Sequence, residues 1–405
     1  MVDIVDHVTG LIDAPARRRR TGVLALARFW FGERLLWQAV LYLGTLALFG
    51  YLGSNLFANM RRLGLSPGFA FLDHAANFGI GETLIRYAAG DSYLRAIVVG
   101  LLNTVEVSIT GCLLATVIGV AVGIARLSAN PLISRVAQGY VEILRNTPLL
   151  LQLFAWSQLL HLLPNPRQAL QPLPGVRLSN RGLFLPSLDA GGHGATIAVA
   201  GLLLTGLAAV VLRWQRRATG RTGPGARVLA VVVPVGLPLL AALIAGVPMA
   251  IDVPALKGFN IVGGLTLTPE FAALALGLAV NASASIAETV RGGILSVARG
   301  QWEAGESLGL HRLTTLRLII LPQALRIIVP VMTSSYLSLA KNSSLAVAIG
   351  FPELVSILNT TANVTGQALE TIFIMMVVYL SLSLLVSVLM NAYNRRSAIW
   401  AEARR

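Results

Sequence analysis

Glu303–Pro322 reads EAGESLGLHRLTTLRLIILP, a polar, helix-forming insert with a central glycine between two apolar segments. A membrane protein gains little from such an insert unless something on the aqueous side grips it. The spacing is Glu303-Ala304-Gly305, three residues, Gly309, nine residues, Ile319, one residue, Leu321-Pro322. Glu303–Leu308 has helical composition, and a carboxylate in the first turn meets the helix dipole favourably. Gly309 permits a backbone turn closed to bulkier residues, so a second short helix near Arg312–Leu321 can leave at an angle. Pro322 is expected to stop that helix before the next span begins.

Composition sets the medium in which this insert works. Hydrophobic residues make up 55% of the chain and charged residues only 12%, with a mean hydropathy of +0.72. A water-soluble domain of this length carries about twice that charge. Apolar runs of roughly 20 residues, the length that crosses a bilayer, recur along the chain. The fold class read from this is all-α, a polytopic helical membrane protein with about eight transmembrane helices. They lie near 36–56, 96–125, 139–161, 195–212, 228–250, 270–290, 323–347 and 371–391. Cys112, the single cysteine, falls in a span and excludes an intramolecular disulfide. No cleavable signal peptide is expected, since the apolar stretch after Arg17–Arg20 is short and lacks a small-residue cleavage site.

Orientation follows from the arginines. The net charge of +14 suits nucleic acid only superficially, because the cations sit in short tracts beside apolar spans. With the N-terminus inside, the cytoplasmic side takes Arg17–Arg20, Arg126, Arg135, the Arg213–Arg227 tract, Arg291 to Arg326, and Arg395 to Arg405. The opposite side holds only Arg61, Arg62, Arg86, Arg95, Arg167, Arg177, Arg181 and Lys257. That bias places both termini, and Glu303–Pro322, in the cytoplasm. Residues 1–94 read as an N-terminal cytoplasmic segment, first transmembrane helix and outer segment. Residues 95–395 form the transmembrane domain with inserted loops, and 396–405 a cytoplasmic tail. In the outer segments, 57–94 suggests a short amphipathic stretch, while the prolines of 162–194 predict irregular structure.

Three further motifs carry polar groups into the spans. Asn103–Gln152 includes Glu106, then Gly119 and Gly123 on one helix face where another helix can approach closely. It ends in Tyr140-Val141-Glu142-Ile143-Leu144-Arg145-Asn146-Thr147-Pro148, where Pro148 breaks or kinks the helix and Glu142 and Arg145 stand at ion-pair spacing. Pro269–Gln301 carries Glu288 with Arg291 three residues on, as a structural ion pair or as a participant in gating. An unpaired carboxylate in hydrocarbon costs about 2.5–3.5 kcal/mol on insertion scales. Asn281, Ser283 and Ser285 form a polar stripe on the same span, lining a cavity or bonding to neighbouring helices. Ser334–Ser344 holds Lys341, the only lysine in a predicted span. Pairing with Glu106 or Glu288, or reaching the outer interface by its long stem, is the first expectation for Lys341, ahead of direct contact with a transported carboxylate; either way it is expected to face the protein interior.

Together these blocks resemble a known family. Glu303–Pro322 looks like the cytoplasmic coupling loop of ABC importer permeases. The Tyr140–Gln152 run is similar to the third conserved span of polar amino acid permeases. With Gly68–Leu72, Thr268–Phe271, Lys341–Gly350 and Thr365-Gly366-Gln367, nearly the whole chain resembles a permease subunit of the general L-amino acid ABC importers of Gram-negative bacteria. The resemblance implies an ABC importer permease fold in the bacterial inner membrane that moves L-amino acids inward by alternating access. It implies a second related permease as heterodimer partner, an ATP-binding subunit and a periplasmic amino-acid-binding protein. Glu303, Ala304, Gly305, Gly309, Leu321 and Pro322 would then meet the ATPase. Glu106, Asn281, Ser285, Glu288, Arg291 and Lys341 are candidates for the translocation path or its gate. Gly305 departs from the family, which usually has alanine there; Asn281, Ser285, Ser338 and Ala340 depart too, near the path.

Chemistry is excluded on the same reading. The chain has no phosphate-binding loop of the Gly-x-x-x-x-Gly-Lys-Ser/Thr type, so ATP and magnesium belong to the partner and no cofactor is expected here. Histidine and cysteine show no metal-ligand spacing, and no nucleophile–base arrangement emerges. A non-enzymatic transport subunit is the expectation. The rival is an ion-gradient-driven secondary transporter relaying protons through Glu106, Glu288 and Lys341.

Overall fold

Residues 35–62, 68–189 and 250–402 are described by a computed structural model of the chain, with four isolated positions (236, 238, 240 and 244) between the last two stretches. The chain divides into two compact units, Met1–Gly68 and Phe69–Arg405. In the first, helix α1 (Leu35–Arg62) exposes Trp37, Leu41, Tyr42 and Phe49 and ends on Arg61 and Arg62, cations that suit a helix C-terminus.

The second unit contains α2 (Tyr93–Ala125), α3 (Pro131–Asn146), α4 (Leu149–His161), α5 (Pro269–Leu295), α6 (Arg299–Ser307), α7 (Arg312–Thr315), α8 (Leu321–Asn342), α9 (Leu354–Thr365) and α10 (Ala368–Glu402). Their starts are written in local chemistry. Ser92, Asn130 and Thr268 cap α2, α3 and α5 by accepting a hydrogen bond from Arg95, Leu132 and Phe271 N–H. Pro131 and Pro269 follow the last two caps, at positions whose missing N–H has no partner to lose.

Helix α5 is the hub. It shares its largest interface with α2, and α3, α4 and α8 pack around it. Leu274, Leu278 and Ile286 of α5, Val107 of α2, Leu153 of α4 and Ile320 before α8 are fully buried in one cluster. The expected face of Gly119 and Gly123 is where α5 arrives. A Cβ on Gly119 would lie 2.6 Å from Ile286 Cγ2, and one on Gly123 would lie 2.8 Å from the Ala287 carbonyl oxygen.

Among the described residues, five helical stretches are long and apolar enough to cross a membrane: Trp37–Asn59, Tyr93–Ala125, Pro269–Leu295, Arg312–Ile349 and Ala368–Ala392. They match five of the expected spans. The expected spans at 195–212 and 228–250 lie outside the described residues, four isolated positions apart. The expected 139–161 span is corrected: it is two helices, α3 and α4, separated by Thr147 and Pro148 in extended conformation. The side-chain amide of Gln152 donates to the Leu144 and Thr147 carbonyl oxygens, both at 3.0 Å, and so satisfies groups freed by the break.

The outer segments also differ from expectation. Residues 162–194 were read as irregular, yet β1 (Arg177–Ser179), β2 (Gly182–Leu185) and β3 (Ser187–Asp189) form there. They join β4 (Ala250–Asp252), β5 (Ala255–Lys257), β6 (Asn260–Val262) and β7 (Leu265–Leu267) in three small antiparallel ladders, β1–β2–β7, β3–β4 and β5–β6. Pro164, Pro166, Pro172 and Pro174 precede β1 and Pro186 separates β2 from β3, so none lies within a strand. In place of the amphipathic stretch expected near 57–94, α1 runs to Arg62 and a single 3₁₀ turn occupies Ala70–Asp73. Residues 74–92 are irregular and held by backbone bonds such as Ala76 N to Asp91 O.

Candidate functional site

At the C-terminal end of α5, helix α6 ends in a left-handed glycine. Gly309 has φ +67°, its N–H reaches Glu306 O at 2.9 Å, and Leu310 N–H reaches Gly305 O at 3.1 Å. This paired closure is a Schellman cap. It turns the chain into α7 and leaves Leu308 at the corner, 75% exposed. The base of the corner is anchored: Trp302, Leu316 and Ile319 pack on the main core, and Gln323 donates to Gln301 at 3.1 Å. Gly305 is buried because Thr315 lies over it, only 2.5 Å from where a Cβ would sit. Glu303 pairs with Arg299 at 3.4 Å, but both are exposed, and such a pair contributes little.

Pro322 does not end a helix, contrary to expectation. The π-helical turn Leu316–Ile320 runs without interruption into α8, and Pro322 lies in the first turn of that helix. The wider turn lets Leu321 N–H bond Leu316 O, so the chain passes a residue with no N–H without stopping. The expected helix and the next span are therefore one continuous element.

Above the corner, Glu288 is held from two sides. Arg291 donates to its Oε1 at 2.6 Å, as the spacing suggests, and Arg126, at the C-cap of α2, binds its Oε2. Arg291 Nε is buried without a hydrogen-bond partner among the described residues. Glu288 and Arg126 line a cavity of about 410 Å³ with Val141, Glu142, Arg145 and Asn146. The expected Glu142–Arg145 pair does not form: Glu142 instead accepts from Gln138 at 2.7 Å, one turn away on α3. Arg126 was visible only as an orientation signal, since its pairing requires the close α2–α5 contact.

One turn further up α5, the polar stripe divides. Ser283 bonds Tyr140 of α3 at 2.7 Å and is buried. Asn281 and Ser285 line a second cavity of about 200 Å³ with Ser334, Ser335, Ser338 and Asn342 of α8. Its lining is uncharged. Lys341 is corrected: it pairs with neither Glu106 nor Glu288, and its side chain is exposed instead of facing the interior. Two arginines already occupy Glu288. Glu106 is half-buried in α2 and forms no ion pair among the described residues.

A polar junction at the strand-bearing end escaped the sequence reading. Glu353 is fully buried and caps α9, accepting from Val355 and Ser356 N–H, both at 2.9 Å, and from Tyr379 OH of α10 at 3.2 Å. Asn103 of α2 donates to Pro352 O and Glu82 O, and Thr104 accepts from Leu354 N–H at 3.1 Å. Burial raises the Glu353 carboxyl to about 7, and burial raises Glu82 to about 7 as well. A carboxylate just ahead of an apolar helix is the signal that marks Glu353 as a cap.

Residues 226–399 match the family described as the inner membrane component of binding-protein-dependent transport systems. Over most of its length the chain is also 47% identical to the putative amino-acid ABC transporter permease protein YhdX of Escherichia coli K12, covering 90% of this chain and 94% of that one. The chain belongs to the family of amino-acid ABC transporter permeases. This permease is 42% identical to the general L-amino acid transport system permease protein AapQ of Rhizobium johnstonii, over 86% of this chain and 88% of that one. It is 36% identical to the glutamate/glutamine/aspartate/asparagine transport system permease protein BztB of Rhodobacter capsulatus, over 88% and 92% respectively. As an ABC permease it is an integral protein of the inner membrane and not an enzyme. ATP is used by a partner ATPase subunit, and a substrate-binding protein completes the system. The ion-gradient carrier is set aside by this membership.

Proposed function

We propose that this permease moves L-amino acids into the cytoplasm, and that the α6–α7 corner is where ATP-driven motion enters it. The observation that carries this is the exposed Leu308 on a Schellman-capped corner whose base is packed into the core. A mobile loop would absorb a push, whereas this corner would pass it to α5 and α8. Glu303, Ala304, Gly305 and Gly309 form the gripped element, and Leu321 and Pro322 join it without a break to α8. Asn281 and Ser285 line the path, while Glu288, with Arg291 and Arg126, closes it near the corner. Lys341, exposed near the end of α8, meets a carboxylate of the cargo or of a second, related permease in a heterodimer; Glu106 lies along the same path.

The arginine bias supports both termini in the cytoplasm and the strand module outside. Residues 1–94, 95–395 and 396–405 keep the roles read from sequence.

The test is co-purification of the tagged chain from its native membrane beside Gly309→Arg. Wild type should bring a phosphate-loop ATPase, and an equally abundant, equally heat-stable variant should lose it. Retention of the ATPase by such a variant would remove the corner from the coupling path.

A further inference from the structure

The coupling reading leaves the strand module at the other end of α5 without a task. Within it the β5–β6 hairpin turns through Gly258, φ +66°, and Phe259, with Lys257 opposite Asn260. Phe259 is 72% exposed. It is nevertheless fixed. The Arg167 guanidinium stands 3.8 Å from its ring centroid, a cation–π contact that orients the ring. Arg181 bonds Asn260 Oδ1 at the tip of the hairpin. At its base, Arg177 Nε donates to Pro254 O at 3.1 Å, and Asp252 accepts from Gly264 N–H at 2.8 Å.

A lipid anchor has no use for a ring oriented by a cation on a hairpin held at three further points. Protein–protein hot spots do, because they pair a preorganised aromatic with arginine and lose little entropy on binding. The charge also specifies the occupant. Arg167 lies on Phe259, Arg181 bonds the neighbouring Asn260 and Lys257 opens the same turn, while the one carboxylate with a described side chain in the module, Asp252, is engaged at the base. The hairpin therefore fits an acidic surface with an apolar recess. Strand β2 pairs with β7, which leads through Thr268 straight into α5.

We propose that the Lys257–Asn260 hairpin tip is the docking point for the substrate-binding protein, which meets Phe259 and its flanking cations with an acidic rim. The proposal rests on the reading that the strand module lies outside the cytoplasm. A docked binding protein then pulls on β7 and the start of α5, and α5 ends beside the coupling corner.

The experiment uses the complete transporter in lipid nanodiscs and the purified binding protein that stimulates the wild-type ATPase. Phe259→Ala and Lys257→Glu should each raise the half-saturating concentration of binding protein at least tenfold. Basal ATPase and the maximum at saturation should stay at wild-type values. Added salt should weaken the wild type more than Lys257→Glu. Unchanged half-saturation overturns the proposal. Loss of the second permease from the variant complex also overturns it, by giving the hairpin to that interface, and so does a defect confined to nanodiscs with anionic lipid. Labelling of Lys257→Cys by a membrane-impermeant maleimide on spheroplasts separates the two readings. Labelling with unchanged half-saturation defeats docking alone, whereas absence of labelling defeats the orientation beneath it.

Discussion

Gly305 and Gly309 stand four residues apart and are glycines for different reasons. Gly309 needs a positive φ to close the cap, a local requirement that can be read from the sequence. Gly305 is tertiary. Its missing Cβ leaves room for Thr315, whose Cγ2 and Oγ1 would lie 2.5 and 2.7 Å away. Set against the family's usual alanine, a glycine here lowers helix propensity, but no pattern in the chain connects residues 305 and 315. Gly305→Ala should therefore destabilise the corner by about 1–3 kcal/mol, the scale of overpacking, where propensity alone would favour alanine. Thr315→Ala should be near neutral, because Thr315 Oγ1 is buried without a hydrogen-bond partner among the described residues. The double variant should regain much of the loss, since only the Thr315 Cβ at 3.2 Å remains in the way. Unfolding midpoints of the four proteins in detergent form the cycle; strictly additive effects would mean that the two residues do not press on each other.

At the scale of elements, what could be read was what repeats along one helix. Gly119 and Gly123 share a face, so a close helix partner was legible, although its identity as α5 was not. Gly123→Ala should push a methyl group against the Ala287 carbonyl oxygen and Val290, and lower stability by about 1–3 kcal/mol. Gly139 in α3 is the internal control, because a Cβ there meets nothing within 4 Å. Gly139→Ala should stabilise the protein by up to about 1 kcal/mol through helix propensity. Opposite signs in parallel melts are the expected result, and equal signs would remove close approach as the reason for Gly123. The division of 139–161 was half legible: Pro148 announced a disturbance, but a full break depends on Gln152 reaching back to two carbonyl oxygens. The strands were illegible because each is only three or four residues long, too short for an alternation to appear.

Across the whole molecule, the junction at Glu353 draws together segments far apart in sequence. Asn103 and Thr104 of α2 hold Pro352 and Leu354, while Tyr379 of α10 donates to the Glu353 carboxyl. Composition could not reveal this, because one glutamate in an apolar chain carries no sign of its partners. Its consequence is a dependence of stability on pH. Burial favours the neutral form and raises the Glu353 carboxyl from 4.5 to about 7, despite two backbone N–H donors that pull the other way. A carboxyl with a raised folded value binds its proton more tightly in the native state. The stability it contributes is complete below about pH 4.5 and is lost as pH rises through about 7, at about 1.4 kcal/mol per unit of difference. Glu82 shifts in the same direction for the same first cause. The purified complex should accordingly withstand urea better at pH 5.5 than at pH 8. Glu353→Gln removes the titrating group but keeps only one of the two oxygens that accept from the Val355 and Ser356 N–H groups, so it should flatten the profile at some cost in stability at every pH. Adding Glu82→Gln should flatten it further. Parallel profiles for wild type and Glu353→Gln would show that this carboxyl does not change its proton affinity on folding, and the junction would then be a cap held in the same charge state throughout.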